Sequence, residues 1–235
     1  MNKKSVLKWW YPLAVAVLLA IFALVWNART VATVAASEPP VLVIDAGHGG
    51  ADGGAVASDS TTESTINLDI ALRLEALARF WGVQTVMTRD TEDIDYPAGA
   101  DTIAAKKVAD QYARVGLING TPGAVLLSIH QNNYPAASPH GIQVFYGPVS
   151  GGDAFAELMQ GNLTALLCPD NRRVASPINK NVFLMQKVNC TAVLVECGFL
   201  SNPGDLEKLE SGTYRLQLAA VMLGSYLQYI RGTTT

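Results

Sequence analysis

From Val41 onward the chain alternates two kinds of pattern. Short, almost continuously apolar runs lie at 41–45, 83–88, 124–129, 142–146 and 192–196, and most are too uniformly apolar for strands that cover a core on one face only. Between them, stretches near 62–80, 101–119, 152–167 and 211–230 space their apolar residues at helical intervals, as in the face formed by Ile66, Ile70, Leu74 and Leu77. Strands buried on both faces and alternating with helices predict a single α/β domain around a twisted, mostly parallel sheet with helices on both faces. Sites in such sheets are built at the carboxyl ends of strands, so the residues that end each apolar run are the first candidates for chemistry.

A different pattern precedes Val41. Trp9 to Trp26 is an uninterrupted run without a charged residue, flanked on its N-terminal side by Lys3, Lys4 and Lys8. A positive flank, no internal charge and Trp at both ends suit a membrane segment. Residues 1–30 are therefore read as an N-terminal anchor, with a cleaved signal as the alternative because Val34-Ala35-Ala36 would serve a signal peptidase. Residues 31–40, including Ser37-Glu38-Pro39-Pro40, form a linker, and residues 41–231 the domain itself. The reading places that domain outside the cytoplasmic membrane, anchored there or secreted.

Composition narrows the partners. The formal charge is −3; without residues 1–36, which carry Lys3, Lys4, Lys8 and Arg29 but no acid, it becomes −7. An acidic body lacks the basic surface that counterion release requires, which argues against nucleic acid as a partner. Cys168, Cys190 and Cys197 are an odd number for an exported protein and too few for a disulfide framework. At least one is a free thiol in a monomer, and a Cys168–Cys190 bridge stays open; Cys190 and Cys197 flank an apolar run and read as small buried hydrophobes.

The chain has three histidines, and two of them close apolar runs: His48 after Val41-Leu-Val-Ile-Asp-Ala-Gly47, and His130 after Ala124-Val-Leu-Leu-Ser-Ile129. The glycines around His48 lack the spacing of a nucleotide fingerprint and the Lys-Ser/Thr of a phosphate loop, so they are read as allowing a sharp turn. Imidazole is the commonest metal ligand, and Glu63, returned toward His48 by the loop 46–62, is a candidate third ligand. Its competing role is a helix cap, since Ser60-Thr-Thr-Glu63 has the form of a capping box. Two histidines and one carboxylate leave a fourth tetrahedral position open, as in hydrolytic zinc sites. Asn67, one turn after Glu63, either orients a ligand or is a polar surface residue.

Glu196 ends the apolar run Thr191-Ala-Val-Leu-Val195. A carboxylate there is costly unless paired, metal-linked or at the strand tip, and partial burial would raise its pKa toward that of a general base. A structural salt bridge is the plainer alternative. Arg114 and Arg89 are read either as structural arginines or as guanidiniums for a substrate carboxylate. His140, in a loop beside Pro139 and Gly141, is read as a surface residue.

The segments Asp45-Ala-Gly-His-Gly-Gly-Ala-Asp-Gly-Gly-Ala55, Glu63 with Ile66-Asn67-Leu68, Thr88-Arg89-Asp90, Arg114 before Ile118-Asn119, Ser128-Ile-His130 and Val195-Glu-Cys-Gly-Phe-Leu-Ser-Asn-Pro203 together resemble the zinc-dependent N-acetylmuramoyl-L-alanine amidases. Gly141-Ile-Gln-Val-Phe-Tyr146 and the Cys197–Pro203 segment resemble, more narrowly, the CwlD-type amidases of spore cortex assembly. The resemblance implies a zinc amidase domain in which His48, Glu63 and His130 hold Zn2+ and Glu196 is the catalytic carboxylate. Its reaction would be hydrolysis of the amide between the muramic acid lactyl group and L-alanine in peptidoglycan. In the CwlD-type branch this precedes muramic δ-lactam formation by a deacetylase, in the forespore cortex space.

The chain departs from the family where Ala46 and Gly53 stand in place of prolines and Gln131 in place of an alanine. The stretch after Tyr146 leaves little room for the inhibitory helix of septal relatives, which points to control by a protein partner or by timing of expression. Two alternatives follow from the residues alone: a zinc carboxypeptidase acting on stem peptides, and a non-catalytic wall-binding module. Glu196 argues against the second, because a closed structural site needs no such carboxylate beside it.

Overall fold

The computed structural model describes residues 39–233. The expected membrane segment and most of the linker lie outside them, and among the described residues no helix is long and apolar enough to cross a membrane.

Six strands, β1 (Val41–Ala46), β2 (Thr85–Met87), β3 (Ala124–Asn132), β4 (Gln143–Tyr146), β5 (Ser176–Pro177) and β6 (Thr191–Phe199), form one sheet in the order β2-β1-β3-β6-β4-β5. Between and after them run α1 (Glu63–Phe80), α2 (Ile103–Asn119), α3 (Gly152–Leu167), α4 (Phe183–Lys187), α5 (Pro203–Glu210) and α6 (Gly212–Thr233). Five of the strands and four of the helices follow the predicted pattern. The additions, β5, α4 and α5, are all short.

Side chains alternate across the sheet, as the two-residue strand period requires. Leu42, Ile44, Leu127, Ile129, Val193 and Val195 face one core with α1, α3, α5 and α6. Val43, Leu126 and Leu194 face a smaller core closed by Ile118 of α2 and by Leu184 and Met185 of α4. Helices on both faces explain why the strands are apolar throughout. The Tyr226 hydroxyl, from α6, donates to the Pro40 carbonyl at 2.7 Å and ties the last helix to the start of β1.

The sheet is mixed and not uniformly parallel. β2, β1, β3 and β6 are mutually parallel, but β4 pairs with β6 antiparallel, with β5 parallel to β4. The segment between β3 and β4 contains no helix and cannot carry the chain back across the sheet to start another parallel strand. β4 therefore begins at the carboxyl edge, with Gln143 opposite Glu196.

Candidate metal and catalytic site

Parallel registry brings the candidate residues to one edge. Asp45 pairs with Ser128 across β1 and β3, and His130 pairs with Glu196 across β3 and β6. By strand alternation Asp45, Ser128, His130 and Glu196 share the α2 face of the sheet. After Ala46 the chain turns into the loop carrying His48, whose φ of 59° is left-handed. Gly47 must lack a side chain, because a Cβ there would lie 2.3 Å from the His130 ring.

His48, Glu63 and His130 converge, with one donor atom from each within 4.8 Å of the others. Glu63 Oε1 lies 2.9 Å from His130 Nδ1 and 3.3 Å from His48 Nε2, and the two imidazole rings meet edge to face with centroids 5.0 Å apart. The alternative role of Glu63 in a capping box is not taken up. Thr62 is the N-cap, without a side-chain cap hydrogen bond, and Glu63 is the first helical residue. Its carboxylate instead accepts from the Ala55 amide through Oε2 and the Gln131 amide through Oε1. Burial opposes its charge, but hydrogen bonds from His130 and His48 hold it well below the usual carboxylate range.

Asp52, which the sequence reading did not single out, lies 2.9 Å from His48 Nδ1 through Oδ2, and Lys107 of α2 reaches the same oxygen at 2.9 Å. A carboxylate on one imidazole nitrogen fixes the tautomer and leaves the other free for a metal. Burial works against the His48 charge, yet Glu63 and Asp52 raise its pKa from 6.5 to about 9. Asn67 donates to the Gly47 carbonyl at 3.0 Å and to Glu63 Oε1 at 3.4 Å, and accepts from Gln131. It is fully buried.

Glu196 stands beside His130 and makes no salt bridge among the described residues. Its Oε2 is buried without a hydrogen-bond partner. Burial pushes its carboxyl up from 4.5 to about 7, with nearby Glu63 adding to the rise and His130 and His48 opposing it. A cleft runs along α2 beside the two histidines, lined by His48, His130, Lys107, Gln111, Asn181 and Phe183.

Arg114 and Arg89 are buried and engage the protein's own backbone and carboxylates, while Arg114 also borders this cleft. Arg114 engages Asp45, Asp110 and the carbonyls of Ala46 and His48 through all three nitrogens. Arg89 engages the carbonyls of Ala46, Gly47, Ser64 and Thr91. His140 is exposed. All three cysteines are free; burial raises the thiol pKa of each, Cys197 most of all, so its thiol is an inert part of the core.

The donor set suits a divalent metal: two imidazoles and a carboxylate surround a common point and leave a tetrahedral position open, with a further carboxylate alongside. Relatives carry the same architecture. A germination-specific N-acetylmuramoyl-L-alanine amidase of Bacillus subtilis is 32% identical over 190 residues, covering 80% of this chain and 79% of that protein. The CwlD amidase of Clostridioides difficile, solved in complex with the GerS lipoprotein, superposes with a TM-score of 0.78 at 29% identity, covering 82% of this chain and 98% of that one. The catalytic domain of CwlV, an N-acetylmuramoyl-L-alanine amidase of Bacillus (Paenibacillus) polymyxa, gives a TM-score of 0.67 at 26% identity, covering 82% and 98%. The Amidase_3 family model, N-acetylmuramoyl-L-alanine amidase, matches residues 42–225, from β1 into α6; the chain belongs to this family and is a peptidoglycan amidase.

Proposed function

We propose that the protein is a zinc-dependent N-acetylmuramoyl-L-alanine amidase that removes stem peptides from peptidoglycan during spore cortex maturation. The observation that carries the zinc reading is the position of Glu63 Oε1, within 3.3 Å of a nitrogen on each of two strand-end histidines. His48, Glu63 and His130 would hold the ion. When bound, zinc supplies a Lewis acid that polarises the scissile carbonyl and makes water acidic near neutral pH.

The remaining work falls to the chain. Glu196 Oε2, unpartnered and with a carboxyl titrating at about 7, would take the proton of the attacking water and deliver it to the departing amide nitrogen of L-alanine. Transfer in both directions needs a pKa near the working pH. Asp52 would hold the His48 ring through Nδ1, and Asn67 would hold Glu63 and the turn at Gly47. The cleft between α2 and residues 181–184 would receive substrate.

The cortex role rests on the germination-specific relative and the CwlD neighbour. It would lead to muramic δ-lactam once a deacetylase acts on the stripped glycan. The apolar run Trp9–Trp26 supports placement at the outer face of the membrane, and the GerS-bound neighbour supports a protein partner. The direct test of the metal is its content: dialysis against a chelator should abolish hydrolysis, and stoichiometric Zn2+ should restore it. Full turnover by metal-free protein would refute the zinc assignment.

A further inference from the structure

His48 sits in a backbone conformation that residues with a Cβ avoid, at φ 59°, and its surroundings impose that turn. The carbonyls of Ala46, Gly47 and His48, the three residues by which β1 passes into the site, each accept from a buried arginine. Arg89 Nε and Arg114 Nη1 both donate to Ala46 O, at 3.0 and 2.7 Å. Arg89 Nη2 donates to Gly47 O at 3.1 Å, and Arg114 Nη2 to His48 O at 2.6 Å.

The two guanidiniums come from separate elements, Arg89 from just after β2 and Arg114 from α2, and close on the turn together. Each is itself held. Arg114 is gripped by Asp45 at 2.8 Å and by Asp110 at 2.9 Å, while Arg89 also donates to Ser64 O in the first turn of α1 at 2.8 Å. Ser64 follows Glu63, so Arg89 connects the backbone beside two of the three proposed ligands. A planar fork with donors spread over three nitrogens can hold successive carbonyls in a fixed geometry, whereas a lysine ammonium gathers its donors on one nitrogen.

We infer that Arg89 and Arg114 are positioning residues: together they build the left-handed turn that aims His48 at Glu63 and His130, and so set the affinity of the site for its metal. The inference rests on the zinc reading above.

The test is a Zn2+ titration of the full chain in detergent, in competition with a chromophoric chelator, for the wild type, Arg89→Lys, Arg114→Lys and Met222→Ala. Met222 is buried in the core on the other face of the sheet, and its truncation lowers stability without touching the turn. Each arginine variant should weaken the zinc Kd at least tenfold, whereas Met222→Ala should lower Tm and leave Kd unchanged. Wild-type Kd in both arginine variants would overturn the inference while leaving the zinc reading intact; a wild type that takes up no zinc would remove both. If an arginine variant does not fold, Asp110→Ala, which removes both acceptors of the Arg114 Nε, is read in the same titration. A weakened Kd supports the inference and an unchanged one overturns it.

Discussion

His130 and Glu196 are register partners on adjacent parallel strands, side by side at the carboxyl edge of the sheet. One faces Glu63 at 2.9 Å, while the other keeps a buried oxygen without a hydrogen-bond partner. In the proposed mechanism that asymmetry divides the work between holding a metal and moving a proton. Glu196→Gln keeps the shape and removes the titrating group, so it should retain stoichiometric zinc and lose turnover by about 10²- to 10⁴-fold. Metal analysis and muropeptide hydrolysis on the same sample check it; near-normal turnover would withdraw the general-base role.

The metal should respond to changes around His130. His130→Ala should purify without zinc. Gly47→Ala should do nearly the same with the imidazole still present, because the new Cβ would fall 2.3 Å from that ring and displace it. Stoichiometric metal in His130→Ala would exclude that residue as a ligand.

Asp52 should act on affinity more than on fold. Removing the carboxylate that orients a metal-ligating histidine typically weakens metal binding by about 10- to 100-fold, and Asp52→Ala should fall in that range. Circular dichroism should remain like the wild type, and an unchanged zinc affinity would mean the 2.9 Å contact with His48 has no bearing on the metal.

The pH dependence of the metal-free protein has a definite sign. His48 is raised from 6.5 to about 9, so its stabilisation is fully present below 6.5 and is lost as pH rises through 9. Glu196 is raised from 4.5 to about 7, so the folded state favours its neutral form and ionisation costs stability as pH rises through 7. Tm of the chelator-treated protein should therefore fall from about pH 5 to about pH 9. Added zinc should raise Tm more at the alkaline end, where no proton competes for His48. A flat Tm profile without metal would contradict the assigned contacts.

Much of this was legible in the sequence because it rests on periodicity. Runs such as Val41–Ile44 and Ala192–Val195 mark strands buried on both faces, and a polar residue at the tip of each marks the edge where sites form. The direction of β4 was not legible, since an apolar run has no polarity. β5 and α4 have two and five residues, too few to show a period. α5 did carry a signal, with Asn202 as N-cap and Pro203 in the first turn.

At the site, Glu63 was ambiguous because a capping glutamate and a ligand have the same local sequence. Only the tertiary fold, which sets His130 against it, decides the direction of its side chain. Asp52 was overlooked among glycines, and its role depends on the left-handed turn that brings its carboxylate to Nδ1 of His48. The inward course of Arg89 and Arg114 is likewise a property of the turn they enclose.

The most direct test of the whole account is mass spectrometry of muropeptides from peptidoglycan incubated with the protein, with and without a chelator. Intact stem peptides and peptide-free glycan should form, and chelation should abolish both. Stems shortened by one residue, or release of intact stems that persists after the metal is removed, would contradict it.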